Sequence, residues 1–243
     1  MGKTGKKALI VWGGWDGHEP DKVANRFAKY LNEGGYETEI SDCLSSFDDL
    51  EKLLTYSLIV PVWTMGEISP DQCKNVSEAV AAGVGLAGCH GGMCDAFRGS
   101  VLWQFITGGN WVAHPGGDGI EFTVNIKDSS SPLVADIEDF KVSTEHYYLL
   151  TDPGNEVLAT TDFPVVPWYH STHKKVEMPV VWTKKWGLGR VYYNALGHHD
   201  DVFDVPEAGE LMRRGLLWAA EGKQIVEEKG LTVDHLKSDG PMF

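Results

Sequence analysis

The chain predicts an α/β fold on a mainly parallel sheet with helices on both faces. Three observations lead there. Short apolar runs at 8–12, 57–63 and 85–89 have the length of buried strands. Amphipathic stretches at 21–32 and 70–82 separate them, with Val23, Phe27, Tyr30 and Leu31 on one helical face of the first. The runs stop at turn residues, Gly13-Gly14 and Met65-Gly66 among them. Continuous apolar strands alternating with helices form parallel sheets covered on both sides. Such sheets bind ligands beyond the carboxyl ends of their strands.

The elements follow in order. Ala8–Trp12 is the first strand, and the helix over 21–32 ends at Gly34-Gly35. Tyr36–Ser41 alternates as a second strand, and a short helical piece covers Phe47–Leu54. Ser57–Trp63 is the third strand. Ser69 and Pro70 then open a helix to about Ala82, serine as N-cap and proline in the first turn. Gly85–Cys89 is the fourth strand, followed by a helix from Met93 to about Ile106. The middle is richer in strands: Glu121–Ile126, Phe140–Tyr147, Glu156–Thr160, Pro179–Thr183 and Gly189–Leu196. A final helix spans about Pro206–Glu221, and the tail 230–243 has little periodicity. No linker divides the chain, so 1–243 is expected to be one domain with its core at about 6–222.

The 243 residues are 42% hydrophobic, enough for a substantial core. A net charge of −14 argues against a nucleic-acid surface, which needs a basic patch. The first apolar run is too short for a signal-peptide core and no run would span a bilayer, so a cytoplasmic location with no membrane partner is expected. Four cysteines in this length make no disulfide framework, and Cys89 and Cys94 have neither redox nor zinc-knuckle spacing.

The chemistry concentrates where strands end. Gly88-Cys89-His90-Gly91-Gly92 joins a strand to a helix, the arrangement of a nucleophile elbow. Cys89 is a candidate nucleophile there, or else a small buried core residue. His198 leaves the run 189–196 through Gly197 and is the leading base, with Asp200 or Asp201 to orient it. His199 is the weaker choice, because successive residues leaving a strand point opposite ways. His90 faces the same edge, as an acid/base or ligand group or as a backbone-bonded core histidine. Glu145 follows as an acid/base carboxylate beside aromatics, or as an ordinary strand end. In the loop after the first strand, His18 and Trp15 are substrate-binding candidates, and Asp16 and Glu19 are either ligands or helix caps. Trp63, Gly91, His114 and His170 complete that group. Nine tryptophans is a high count, and several flank these segments as platforms suited to sugar faces. No cofactor is expected; a divalent metal such as zinc on His18, His90 and His198, which with Glu145 come from separate strand ends and could converge, is the alternative, although no H-E-x-x-H motif or paired-cysteine spacing supports it.

Several of these motifs, taken in order, resemble the ThuA-like family, named for trehalose utilisation. They are the Gly-Gly…His18 loop, Gly88-Cys89-His90-Gly91-Gly92, Thr144-Glu145-His146-Tyr147-Tyr148, and Pro179-Val-Val-Trp-Thr-Lys184 leading to Gly187-Leu-Gly-Arg-Val-Tyr-Tyr-Asn-Ala-Leu-Gly-His198. The resemblance covers nearly everything from Lys6 to Gly222. It implies a class I glutamine amidotransferase-like fold, a flavodoxin-like three-layer sandwich, and a role in carbohydrate metabolism with a small-molecule carbohydrate as partner. One position departs: the family commonly carries an apolar residue where Cys89 stands. Here the segment resembles the elbow of the PfpI-type peptidase and deglycase branch, where cysteine is the nucleophile. A glutaminase triad would want His-x-Glu near the last strand, but this chain has His198-His199-Asp200. Three functions therefore stay open: a protein that binds or transforms a sugar derivative, a cysteine-dependent hydrolase or deglycase-like enzyme, and a non-catalytic sugar-binding or regulatory protein. A homo-oligomer is left open as well.

Overall fold

The computed structural model describes residues 6–127, 130–165 and 174–236. Its first half alternates as the apolar runs predict: β1 (Lys7–Gly14), α1 (Pro20–Glu33), β2 (Glu37–Ser41), α2 (Leu50–Leu53), β3 (Leu58–Thr64), α3 (Pro70–Ala81) and β4 (Gly85–Cys89). Ser69 caps α3 in a reciprocal capping box with Gln72. After β4 come α4 (His90–Cys94), α5 (Val101–Thr107), β5 (Gly109–Ala113), β6 (Ile120–Ile126), β7 (Phe140–Thr144) and β8 (Tyr148–Thr151). The chain continues through β9 (Glu156–Phe163), β10 (Val176–Trp186), β11 (Gly189–Asn194) and α6 (Pro206–Glu228).

Nine strands form one sheet in the order β2-β1-β3-β4-β11-β10-β9-β6-β7. The first five are parallel to their neighbours and make the core. From β11 outward the pairs are antiparallel. The sheet is therefore mixed, with its parallel half carrying the helices. Strands β5 and β8 pair separately. The helices pack in two groups, α1 with α6, and α2 and α5 with α3. Right-handed crossovers place those groups on opposite faces, because the chain runs from β1 one way to β2 and then the other way to β3 and β4. Alternate sides of β1, β3, β4 and β11 are buried under them, and Leu9, Ile10, Val60, Leu86 and Tyr192 are all sealed from solvent.

Four elements differ from the sequence expectations. The helix expected over 93–106 is two helices, and the first begins at His90. Between them Phe97 takes a left-handed backbone (φ 51°), and Ser100 recaps the chain by accepting from the Trp103 amide. The piece at 47–54 splits into a 3-10 turn at Leu44–Phe47 and α2, because Asp49 accepts from the Lys52 amide and starts a new turn. The strand expected over 140–147 stops at Thr144, and the chain resumes as β8 against β5, which carries no alternating pattern of its own. The last helix runs on to Glu228. Among the described residues no helix is long and apolar enough to cross a membrane.

Candidate functional site

The carboxyl ends of β1, β3, β4 and β11 lie side by side at one edge of the sheet. Each contributes a polar group. His18 follows β1, Thr64 ends β3, His90 follows β4, and His198 follows β11. Strand β1 is flanked by β2 on one side and β3 on the other, the reversal point where open α/β sheets form a crevice.

The backbone aims these groups. After β1 the chain turns at Gly14 (φ 80°), where a side-chain carbon would sit 2.0 Å from the Thr64 carbonyl oxygen. That turn sends His18 across to β3, and His18 Nδ1 lies 2.7 Å from Thr64 Oγ1. After β4 the residue in the left-handed region is His90 (φ 45°). The strained apex of the elbow is thus the histidine. The Tyr193 hydroxyl donates to the His90 carbonyl (3.1 Å) and holds the turn. After β11, Gly197 (φ 106°) turns the chain so that His198 points inward, while His199 stays half-exposed.

Glu145 reaches the same point from the far half of the chain. Because β7 ends at Thr144, residues 145–147 leave the ladder and cross the strand ends. Glu145 Oε2 lies 3.0 Å from His90 Nε2, 3.2 Å from His198 Nδ1 and 3.8 Å from His18 Nε2. Its Oε1 lies 3.3 Å from His114 Nδ1. The three inner rings are 4.7–5.5 Å apart between centroids. Tyr147 stacks on His90 at 3.9 Å. His146 points the other way and stacks on Phe122 at 4.1 Å. Burial drops its pKa to about 4.

His18, His90, Glu145 and His198 are all buried, His90 to 1% exposure. More exposed groups adjoin the cluster, namely Trp15 (46% exposed), His114 and Asp118. Trp15 lies edge-on to His18 at 4.7 Å. Burial lowers the pKa of His18, and it lowers that of His90 to about 3 despite the carboxylate beside it. Burial penalises the Glu145 carboxylate, and hydrogen bonds from His18, His198 and His90, in the ring forms that donate to it, outweigh that and lower its pKa.

One pairing in this cluster lacks a hydrogen. His90 Nδ1 is 2.9 Å from the Ala195 carbonyl, which only accepts, so Nδ1 carries the hydrogen. The neutral ring then presents a lone pair from Nε2 to the Glu145 carboxylate. His198 Nδ1, facing the same oxygen, is buried and has no hydrogen-bond partner of acceptable geometry. His114 Nδ1 is likewise unpartnered, as is Trp111 Nε1 nearby. Ring nitrogens and a carboxylate that converge in this way, one nitrogen bare and others unpartnered, can hold a cation, a shared proton or a polar group of a ligand.

The other expected residues fall as follows. Cys89 is the last residue of β4, 2% exposed, and burial pushes its thiol well up. It stands under Gly197, where an added side-chain carbon would sit 3.1 Å from its Sγ. Asp200 does not orient His198. It takes a bidentate pair from Arg26 at 2.6 and 2.7 Å, and the carboxylates near His198 are Glu145 and Asp118. Glu19 pairs with Lys22 and accepts from the Asp200 amide, and Asp16 stays exposed in a 3-10 turn. Gly91 makes room: an added carbon would come within 2.5 Å of His18 Cε1. Trp63 packs over Gly13 and Gly66 while Thr64 takes the inward position on β3. His170 lies outside the described residues. Thr64, Asp118 and the Ala195 carbonyl carried no signal in the sequence. Tyr147 did, since it is two residues from Glu145 and shares its face.

A family model described as ThuA, trehalose utilisation, matches residues 7–219. No curated protein matches the chain. Among solved structures, a ThuA-like protein from Bacteroides uniformis is 20% identical with a TM-score of 0.70, covering 90% of this chain and 93% of its own. One from Parabacteroides merdae is 18% identical with a TM-score of 0.69, covering 90% and 91%. A cytoplasmic protein from Salmonella typhimurium is 13% identical with a TM-score of 0.61, covering 90% and 99%. At these identities the likeness concerns the fold.

Proposed function

The chain belongs to the ThuA family, and from that premise we propose that it binds and transforms a sugar or sugar derivative of disaccharide size at the His–Glu cluster. The observation that carries this is the convergence of His18, His90 and His198, from three parallel strand ends, on one buried carboxylate. A sugar hydroxyl or carbonyl oxygen would enter among the unpaired ring nitrogens. There the lone pairs of the cluster meet its proton or the cation that replaces it. Trp15 and His114 beside the cluster would cover the sugar's apolar face. The family's description as trehalose utilisation supports the carbohydrate class. The four cysteines are free, which suits the reducing cytoplasm, and that location is part of the proposal.

The cysteine-hydrolase alternative has less behind it. A nucleophile needs an accessible thiolate, and Cys89 is buried, which pushes its thiol well up.

The test is a panel of disaccharides, with and without an oxidised ring hydroxyl, followed by melting temperature and by turnover. A melting point that climbs with sugar concentration is expected, with weaker response in Trp15→Ala. Binding without turnover would remove the chemistry and leave a binding protein. A panel that moves neither readout would reject the sugar assignment.

A further inference from the structure

We propose that His18, His90, Glu145 and His198 form a binding site for one divalent first-row transition metal ion of the zinc class. Their donor atoms lie within 4.8 Å of one another. Ligands of a shared ion with bonds of about 2.1 Å sit no more than about 4.2 Å apart. In a tetrahedral site the donors sit about 3.4 Å apart, so the widest pair would draw together by an ångström or more on binding. Three imidazole nitrogens and one carboxylate are a donor set that suits zinc, iron, cobalt or manganese and not magnesium or calcium.

The outer contacts point the same way. Each of the three rings offers one nitrogen to the centre, and two of them, His90 and His18, turn the other to an oxygen within hydrogen-bond distance. His90 Nδ1 donates to the Ala195 carbonyl, His18 Nδ1 meets Thr64 Oγ1, and His198 Nε2 faces Asp118 at 4.0 Å. Metal-bound histidines are oriented by such remote oxygen partners, which select the tautomer that leaves the inner nitrogen bare. The Ala195 carbonyl makes that selection unambiguous for His90. Its inner nitrogen and the Glu145 oxygen then face each other at 3.0 Å as two acceptors, and His198 Nδ1 faces the same oxygen, buried and unpartnered. Two acceptors at that distance repel unless a positive centre lies between them. A metal ion satisfies all four donors at once, whereas a single proton satisfies one pair.

The site does not depend on which sugar binds, because the metal can be measured alone. Protein stripped by chelator dialysis is titrated with zinc chloride, without sugar, by calorimetry and melting temperature. One equivalent is expected, with a melting point that rises with free zinc. Cobalt substituted at the site should give a visible absorption band at the same stoichiometry. Glu145→Gln, which keeps shape, and His198→Ala should each weaken binding by about a hundredfold. Cys43→Ser, which removes an exposed thiol that belongs to no part of the cluster, should leave it unchanged. Circular dichroism of each variant separates lost binding from lost folding, and the isosteric Glu145→Gln alone decides the matter should His198→Ala not fold. No saturable equivalent, or one indifferent to Glu145→Gln, overturns the proposal and leaves a proton between His90 and Glu145. Metal bound with no sugar response would instead overturn the sugar assignment and leave this site standing.

Discussion

Glu145 is the charge around which the site is organised. It is the single carboxylate shared by three inner histidines and by His114. The sequence marks it only as a carboxylate beside aromatics. A strand running over 140–147 would put Glu145 and Tyr147 on one face and His146 on the other, and the three side chains part in that way although they lie beyond the ladder. Gly91 is legible as a glycine of the elbow but not as the floor of His18. A methyl group there would meet His18 Cε1 at 2.5 Å and Thr64 Cγ2 at 3.0 Å. Gly91→Ala is therefore expected to displace His18, to cost about 1–3 kcal/mol in urea unfolding, and to abolish any ligand-dependent rise in melting temperature. An unchanged rise would show that His18 is not needed.

Two turns carry histidines of the candidate site, and each has its own support. At the β4–α4 turn the left-handed residue is His90, and Cys89 behind it belongs to the strand. The sequence shows a glycine-flanked pair and a switch from strand to helix, but one position of register decides which residue stands at the apex. Cys89→Ala should cost about 1 kcal/mol, as for one buried heavy atom, and retain sugar binding and turnover. Loss of turnover in a folded variant would return the thiol to the chemistry. At the turn after β11, Arg26 of α1 pairs with Asp200 and with Asp204 at 2.9 Å. That clamp ties the segment beyond His198 to the helix after β1. Arg26→Met should lower stability by about 1 kcal/mol, since the groups are partly exposed. It should weaken ligand binding more than stability, read as a rise in Kd with a small change in unfolding midpoint.

The sheet as a unit explains why the site holds its shape. Strands β1, β3, β4 and β11 are adjacent and parallel, so their carboxyl ends form one continuous rim. Helix α6 packs on β3, β4 and β11 from one face and on α1. Near its start Glu210 pairs with Arg213 and Arg214, and those hydrogen bonds, Arg213's foremost, lower its pKa to about 2. A carboxyl whose folded pKa lies below its unfolded value adds stability above the unfolded pKa and loses it as pH falls through the folded one. Glu210 thus contributes fully at neutral pH, and its share disappears between pH about 4.5 and about 2. Urea unfolding across that range should show a falling limb, less steep in Glu210→Gln. An identical slope in the variant would place the acid sensitivity elsewhere.

Local pattern was enough for the parallel half of the fold. Apolar runs of strand length, a capping serine before proline, and glycines at strand ends are short-range signals, and β1, α1, β3, α3 and β4 follow them closely. The same signals placed His18, His90 and His198 after strands. Their meeting depended on strand order, which local pattern does not encode: β11 pairs with β4 across some hundred residues of chain. Glu145 enters the site because β7 stops at Thr144 and the chain crosses the sheet edge, which alternation running on to Tyr147 conceals. Ring tautomers and the unpaired nitrogens follow from backbone oxygens such as that of Ala195, and contacts of that kind exist only once distant segments have packed together.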